Sequence, residues 1–355
     1  MNGPTHISSL DGLRGIAAAV VVAAHLGLVF PTIAAFDLPV MGSEAVGLFF
    51  ALSGFLMAYL YGARPPTQES ILDFIVSRFA RIYPVYLAAV LLVVLVSVAP
   101  GLDYIQPIEG MLDFVRHVLL LGSSGVFWSV PPEIQFYVLF PVIWLFLAQP
   151  QRYRAIGVLL VSVVALDGLW EMPGPGILLL SKLPYFLFGV AAGWFHSVAK
   201  ERSPSLFSGI LTLVLLVIFF SYRHVFPAFS PEFWGLPSAF ASAVIVALVA
   251  QEHPVASRIF ASAPLRFLGT VSFSLYLFHV PVMFLTRQTF SGLLPEPVLA
   301  VLSLAMALLA AWLSHELIEA PSRRRLVGLW RRSRLRAYLL SPARSRTNTL
   351  SPDKA

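Results

Sequence analysis

An apolar run near the N-terminus constrains this chain more than any other feature of its sequence. Residues 13–36 are long enough to cross a bilayer as one helix, and similar apolar segments recur along the chain. Hydrophobic residues make up 58% of the 355 residues and charged residues only 12%, with a mean hydropathy of +0.81. Soluble proteins of this size carry far more charge. The sequence therefore predicts an integral membrane protein built from helices rather than from a barrel.

The apolar segments predict the topology. We place ten of them at approximately 13–36, 43–62, 80–100, 134–149, 154–170, 177–198, 206–221, 235–251, 265–286 and 297–318. With a cytoplasmic N-terminus, 20 of the 24 Lys and Arg residues lie on the cytoplasmic side, as the positive-inside rule requires. We therefore expect an all-α bundle of about ten transmembrane helices with both termini cytoplasmic. Residues 1–320 are predicted to form the membrane domain, and residues 321–355 a basic, partly disordered cytoplasmic tail.

Composition excludes several kinds of chemistry. The chain contains no cysteine, which rules out disulfides, thiolate metal sites and a thiol nucleophile. It also lacks a glycine-rich phosphate loop, a metal-ligand pair at helical spacing and a Gly-x-Ser-x-Gly motif. Ten of the 24 basic residues follow position 320, which indicates contact with membrane lipid rather than with nucleic acid. We expect no metal cofactor and no nucleic-acid partner.

The first apolar run contains two ionisable residues, Arg14 and His25. Their separation along a helix is roughly 16 Å, which places Arg14 at one membrane surface and His25 near the bilayer midplane. An ionisable side chain at that depth indicates a functional site, and a neutral imidazole can take a proton from a hydroxyl group. A hydrogen bond to a neighbouring helix explains such a histidine equally well.

A pair of arginines, Arg78 and Arg81, lies three residues apart and so shares one face of a helix at a cytoplasmic mouth. Two guanidinium groups there can bind phosphates. Ordinary flanking of a transmembrane helix by positive charge accounts for the pair as well.

Three further candidates lie later in the chain. Glu133 and Tyr137 are four residues apart on one face of the fourth span, where the carboxylate can orient a histidine, bind sugar hydroxyls or simply favour the start of a helix. His279 is a second intramembrane histidine, near Pro281, and packing or a contact between helices explains it.

Six motifs occur along the chain in a fixed order. They are LDGLRG at 10–15 followed by His25, FFALSGF at 49–55, RFARIYP at 78–84, WS at 128–129 with EIQFY at 133–137, SFSLYLFH at 272–279 and IEAP at 318–321. Across roughly residues 8–325 the sequence resembles the acyltransferase-3 family, whose members modify surface polysaccharides and related glycans. The resemblance implies ten transmembrane helices, a cytoplasmic acyl-coenzyme A donor and an acceptor reached from the outer side.

The resemblance also implies roles for individual residues. His25 becomes the catalytic base or an acyl relay, with Arg14 as its partner, and Arg78 and Arg81 become contacts of coenzyme A. We predict that Arg14 also contacts the phosphates of coenzyme A. Glu133 is predicted to act with His25 in catalysis. The predicted acceptor contacts are Tyr137, Trp128 and His279. The expected protein is an O-acetyltransferase of the cell (inner or plasma) membrane that uses acetyl-coenzyme A and a carbohydrate or glycolipid acceptor.

A proton-coupled transporter is the main alternative. His25, Glu133 and Asp167 would then form a proton path, and the paired arginines would form a substrate gate. The sequence shows no internal repeat of the kind found in many transporters. A catalytically inactive membrane scaffold of the same fold is a third possibility, against which His25 and the arginine pair argue.

Overall fold

The computed structural model describes residues 6–34, 41–170, 176–199, 206–226 and 234–340. Within these ranges the chain is helical and contains no strand, so the prediction of an all-α protein is confirmed. The helices are α1 (Ser8–Val29), α2 (Pro31–Ala34), α3 (Gly42–Tyr61), α4 (Gln68–Ser97), α5 (Gly110–Val118), α6 (Val130–Ala148), α7 (Arg154–Leu169), α8 (Leu183–Val198), α9 (Leu206–Val225), α10 (Leu236–Ala250), α11 (Pro254–Phe260), α12 (Ala263–Phe290), α13 (Glu296–Ser314), α14 (Ala320–Arg332) and α15 (Arg334–Leu340). Two 3-10 turns, Gly125–Ser129 and Leu180–Lys182, precede α6 and α8, and a π-helical turn, His315–Glu319, joins α13 to α14.

Several helices are long and apolar enough to cross a bilayer. Among the described residues there are seven, Ser8–Val29, Gly42–Tyr61, Gln68–Ser97, Gly125–Ala148, Phe207–Val225, Ala263–Phe290 and Glu296–Arg332. The pair α10 and α11, bent by 99°, makes an eighth if it is one broken span. α7 and α8 have 16 residues each, or about 24 Å of helix against a hydrocarbon core of roughly 30 Å. The protein is a multi-pass membrane protein, while the count of ten spans and the cytoplasmic termini stay predictions.

Prolines explain where many of these helices begin. A proline fits the first turn of a helix because the missing N–H has no acceptor there. The helices α6, α8, α10, α12, α13 and α14 each carry one in that position. Three other prolines, Pro84, Pro141 and Pro281, lie inside α4, α6 and α12. Each of these removes one backbone hydrogen bond within the membrane bundle.

Glycines bring α1 and α12 close together. A Cβ atom on Gly269 of α12 would lie 1.9 Å from the carbonyl oxygen of Asp11, and one on Gly15 of α1 would lie 2.4 Å from a carbonyl oxygen of α12. No residue with a side chain fits at these distances. The close approach places His25 of α1 against His279 of α12.

The same kind of packing joins α3 to α8. A Cβ atom on Gly54 would lie 2.1 Å from the carbonyl oxygen of Phe186, and one on Gly189 would lie 2.2 Å from that of Ala51. The small residues of the FFALSGF motif therefore serve close helix packing. Ser53, in the same motif, turns to α6 instead and bonds there to a carboxylate described below.

The connection between α4 and α6 folds back onto the bundle. The hydroxyl of Tyr86 in α4 donates to the carbonyl oxygen of His117 at 2.9 Å. The hydroxyl of Tyr276 in α12 donates to the carbonyl oxygen of Val126 at 2.9 Å. These bonds hold the 3-10 turn against the bundle, so that Ser129 at its end is buried.

The basic tail begins as a helix packed on α4. Trp330 Nε1 donates to Asp73 Oδ1 at 2.7 Å, and Arg336 Nε donates to the same oxygen at 3.3 Å. Arg336 also pairs with Glu69. The tail is helical as far as Leu340 except at Ser333. The predicted disorder of its distal part concerns residues 341–355, which lie outside the described ranges.

Candidate active site

Five helices and the 3-10 turn before α6 enclose a narrow cavity inside the bundle. Its volume is about 50 Å³, enough for a few water molecules. The helices are α1, α3, α4, α6 and α12. The polar residues that line the cavity are Arg14, Ser53, Arg78, Arg81, Ser129, Glu133, Tyr137, Ser272 and Tyr276. The fold therefore brings together five of the eight predicted site residues, from three helices that are distant in sequence.

Three arginines, Arg14, Arg78 and Arg81, give this cavity its charge. Arg78 is 9% exposed, and its Nη2 donates to the Tyr61 hydroxyl at 3.3 Å. Its Nε is buried and has no hydrogen-bond partner in the described chain. Across the residues that the structure describes, none of the three arginines forms an ion pair within 4 Å. Because Glu133 supplies one negative charge against these three positive charges, the cavity suits an anionic ligand.

Glu133 is the carboxylate of the cavity. Its Oε1 accepts hydrogen bonds from Ser53 Oγ at 3.0 Å and from the Tyr137 hydroxyl at 2.5 Å. Its charge also acts on Arg14, which lies within electrostatic range. Two hydroxyl donors on one oxygen fix the carboxylate in place beside the arginines. Its bonded partners are on α3 and α6, whereas those of His25 are on α1 and α12.

His25 and His279 form a pair between α1 and α12. Their ring centroids are 5.0 Å apart, and His25 Nδ1 lies 3.3 Å from His279 Nε2. His25 Nδ1 also lies 2.8 Å from the carbonyl oxygen of Val21. His279 Nδ1 lies 2.8 Å from the carbonyl oxygen of Tyr276. Since a carbonyl oxygen only accepts hydrogen bonds, the Nδ1 atom of each ring carries a proton.

This assignment determines what each histidine can do. With its proton on Nδ1, neutral His279 presents the lone pair of Nε2 to His25. The one Nδ1–H of His25 is then shared between the carbonyl oxygen of Val21 at 2.8 Å and His279 Nε2 at 3.3 Å. Neutral His25 keeps the lone pair of its own Nε2 for another proton. His25 is therefore oriented as a base at Nε2, because its Nδ1–H is held by acceptors on α1 and α12.

The histidine pair lies beside the cavity and does not line it. Tyr276 connects the two, because it lines the cavity and its ring centroid is 6.2 Å from that of His279. The Tyr276 hydroxyl accepts from Ser129 Oγ at 2.8 Å. Sequence reasoning gave no role to Tyr276 or Ser129, although both belong to motifs that carry the family resemblance.

Trp128 belongs to a separate aromatic cluster. Its ring centroid is 5.4 Å from that of Trp234 and 6.3 Å from that of Phe50, which lines the cavity. Lys182 Nζ lies 3.8 Å from the Trp234 centroid. Trp128 thus lies next to a residue that lines the cavity, and its predicted contact with an acceptor stays a prediction. No group of three His, Asp or Glu side chains that could hold a metal ion occurs in the described ranges.

Comparisons with known proteins give a family and several relatives. The model of the family Acyl_transf_3, described as an acyltransferase domain, matches residues 7–316. Peptidoglycan O-acetyltransferase OatA of Listeria monocytogenes is 24% identical over 90% of this chain and 56% of its own length. Acyltransferase MdmB of Streptomyces mycarofaciens is 27% identical over 90% of this chain and 92% of its own length.

A further relative is O-acetyltransferase OatA of Staphylococcus aureus, 24% identical over 92% of this chain and 58% of its own length. The chain thus spans little more than half the length of the two OatA proteins and nearly all of MdmB. No solved structure matches the chain significantly.

Proposed function

Because the chain belongs to the acyltransferase-3 family, we propose that it transfers an acetyl group from acetyl-coenzyme A to a hydroxyl of a surface or exported carbohydrate or glycolipid. The family makes it an acyltransferase, and the apolar helices make it a multi-pass membrane protein. Relatives named as peptidoglycan O-acetyltransferases support a carbohydrate acceptor. The proposed location is the cell (inner or plasma) membrane, with the donor bound from the cytoplasm.

The observation that carries this proposal is the cavity with three arginines next to a paired histidine. Coenzyme A is a polyanion joined to a thin pantetheine arm. Arg14, Arg78 and Arg81 supply forked donors that match its phosphates. The arm reaches on the order of 15–20 Å, which suits the roughly 16 Å of helix between Arg14 and His25.

The proposed reaction transfers the acyl group in one displacement. His25 Nε2 takes the proton of the acceptor hydroxyl as its oxygen attacks the thioester carbonyl carbon. The C–S bond breaks, the coenzyme A thiolate leaves, and the proton on His25 passes to the thiolate or to water. The thiolate is a good leaving group because a thiol pKa is about 8.5. An acyl-histidine relay would use the same residues in two steps.

The remaining site residues support this reaction in different ways. Glu133 and Tyr137 are proposed to bind the acceptor hydroxyl or to tune the charge at the arginines. Trp128 is proposed to contact the acceptor through its aromatic cluster. For His279, the contact with His25 favours a positioning role over the predicted contact with the acceptor. The transporter alternative has no comparable support, since family and relatives are acyltransferases.

Two measurements on the full chain test the proposal. The first is binding of radiolabelled acetyl-coenzyme A to purified protein in detergent, and the second is acetyl transfer to the glycan fraction of intact membranes. Arg78→Ala/Arg81→Ala is expected to lose saturable binding. His25→Ala is expected to keep binding and to lose transfer by about a hundredfold or more.

His224→Ala is the matched control, because this exposed histidine at the end of α9 lies outside the cavity. It is expected to bind and transfer normally. Failure of the folded parent protein to bind any acyl-coenzyme A would reject the enzyme. Normal transfer by a correctly inserted His25→Ala variant would reject His25 as the base.

A further inference from the structure

A second and wider cleft opens where α4, α6 and α14 meet. Its volume is about 870 Å³, against about 50 Å³ for the inner cavity. Small-molecule sites commonly span about 300–1,000 Å³. The cleft is therefore large enough for a nucleotide, and the inner cavity is not. The side chains with charge or large rings at its walls include Tyr61, Arg64, Trp144, Arg323, Arg324 and Arg331.

The cleft is strongly basic. Four arginines line it, whereas its two carboxylates are already bonded within the protein. Asp73 Oδ1 accepts from Trp330 Nε1 at 2.7 Å. Glu319 Oε2 accepts from Ser274 Oγ at 2.9 Å and lies 3.4 Å from His315 Nδ1. Positive charge without an assigned partner thus remains, and the cleft suits a ligand with several negative charges.

Positive charge continues from the cleft into the cavity. Arg78 lines the cavity, yet its Nη2 donates to Tyr61 in the cleft wall at 3.3 Å. Its guanidinium carbon lies 5.6 Å from the ring centroid of Phe74, another residue of that wall. Arg323 of the cleft is within electrostatic range of both Arg78 and Arg81. Arg78 therefore lies at the boundary between the two spaces.

We infer that this cleft binds the nucleotide end of acyl-coenzyme A, adenosine 3′,5′-bisphosphate, with Arg323 and Arg324 contacting its phosphates. The inference rests on the proposed function and divides the donor between two spaces. The nucleotide occupies the cleft, the pyrophosphate lies near Arg78 and Arg81, and the pantetheine arm enters the cavity. The wall formed by α14 lies beyond residues 7–316 that the family model matches.

Binding of two probes to the purified full chain in nanodiscs of neutral lipid tests this inference. The probes are adenosine 3′,5′-bisphosphate and pantetheine, each competing with radiolabelled acetyl-coenzyme A. In Arg323→Ala/Arg324→Ala, affinity for the bisphosphate is expected to fall by about tenfold or more, because forked phosphate contacts are lost. Affinity for pantetheine is expected to stay unchanged.

Arg325→Ala/Arg332→Ala is the matched control. It removes the same charge from the same helix at two exposed residues outside the cleft. Its affinity for the bisphosphate is expected to stay within about twofold of the parent, since these two guanidinium groups do not line the cleft and exposed charges are partly screened by salt. An equal loss in the two double variants, or no loss in Arg323→Ala/Arg324→Ala, overturns the inference.

An anionic lipid headgroup has the same phosphate chemistry as the nucleotide and competes with it as the occupant of the cleft. If the bisphosphate does not bind in neutral lipid, and Arg323→Ala/Arg324→Ala reduces retention of phosphatidylglycerol, a lipid is the occupant and the inference is wrong. If that variant transfers acetyl groups at an unchanged KM for acetyl-coenzyme A, the inference fails and the proposed function stands. If the parent binds no acetyl-coenzyme A, both fail.

Discussion

His25 and His279 share a hydrogen bond across the contact between α1 and α12, with His25 Nδ1 3.3 Å from His279 Nε2. Two carbonyl oxygens of the helices orient the rings, so that the two Nδ1 protons point in defined directions. A base held in one orientation loses little entropy when it meets its substrate. His279 is 0% exposed and its Nε2 lies 3.3 Å from His25 Nδ1, so its effect on the donor is expected to act through His25.

Substitution of His279 therefore tests whether this residue positions His25 or contributes to binding of the donor. In His279→Ala, the kcat of acetyl transfer is expected to fall by about tenfold or more, while the KM for acetyl-coenzyme A stays unchanged. His279→Gln is expected to recover part of the loss, because the amide oxygen can accept from His25 Nδ1–H. Steady-state transfer kinetics on purified protein measure both parameters. A parallel change in KM and kcat, with no rescue by glutamine, would indicate a packing role alone.

Glu133 can act through its charge or through its hydrogen bonds, and Glu133→Gln distinguishes them. The amide oxygen of glutamine still accepts from Ser53 and Tyr137, but the negative charge beside Arg14 is gone. If the charge is required, kcat is expected to fall by about a hundredfold while the donor binds at least as tightly, because a repulsion with phosphate is removed.

Tyr137→Phe is the companion variant, since it removes one donor and keeps the carboxylate. It is expected to lower kcat less than Glu133→Gln does. Transfer kinetics and acetyl-coenzyme A binding on both variants provide the comparison. If Glu133→Gln turns over at the parent rate, the negative charge is not required and Glu133 serves only as a hydrogen-bond acceptor.

Regular helical spacing made part of the site predictable. Arg78 and Arg81, and likewise Glu133 and Tyr137, share one helix face because they are three and four residues apart. Both pairs line the cavity. The first apolar run indicated Arg14, and the family resemblance made it the partner of His25, but no spacing rule connects it to α4. The apolar runs, in turn, predicted the all-α class because only helices satisfy the backbone across that many apolar residues.

The contacts between distant segments could not be predicted. His25 and His279 are 254 residues apart, and Tyr276 and Ser129 are 147 apart. No local pattern encodes such pairs, since they depend on the glycine contacts that set α1 against α12. The cleft under α14 was missed for a related reason. Its arginines resemble a lipid-binding tail in sequence, and only the fold shows Trp330 and Arg336 bonded to Asp73.

Variants of Arg81 can show whether its guanidinium group binds phosphate through its planar pair of N–H donors or only through its positive charge. Arg81→Ala is expected to weaken acetyl-coenzyme A binding by about tenfold, and the remaining affinity should depend less on salt concentration. Arg81→Lys keeps the charge but loses the planar pair of donors, so it is expected to restore only part of the affinity.

Arg152→Ala provides the control for the Arg81 variants. It removes an exposed arginine between α6 and α7, outside the cavity. Binding isotherms at two salt concentrations are expected to match those of the parent at each concentration. If Arg81→Ala and the parent bind acetyl-coenzyme A with equal affinity, Arg81 is not a phosphate contact and is only a positive charge that flanks a transmembrane helix.

The glycine contact between α1 and α12 is expected to control both stability and activity. A Cβ atom on Gly269 would meet the carbonyl oxygen of Asp11 at 1.9 Å, so Gly269→Ala must push the helices apart. Overpacking of this kind costs about 1–3 kcal/mol. Thermal unfolding in detergent should show a lower Tm. Gly328→Ala in α14 is the control, because a Cβ there meets nothing within 4 Å and alanine favours a helix by up to about 1 kcal/mol.

The same displacement should also separate the two histidines. A shift of about 1 Å would break a 3.3 Å hydrogen bond between His25 and His279. Gly269→Ala is therefore expected to lose acetyl transfer even at temperatures where it remains folded. The Gly328→Ala control serves only the stability measurement, because Gly328 lines the cleft at α14. If folded Gly269→Ala transfers at the parent rate, then the histidine pair tolerates separation, and the orientation of His25 must come from the carbonyl oxygen of Val21 alone.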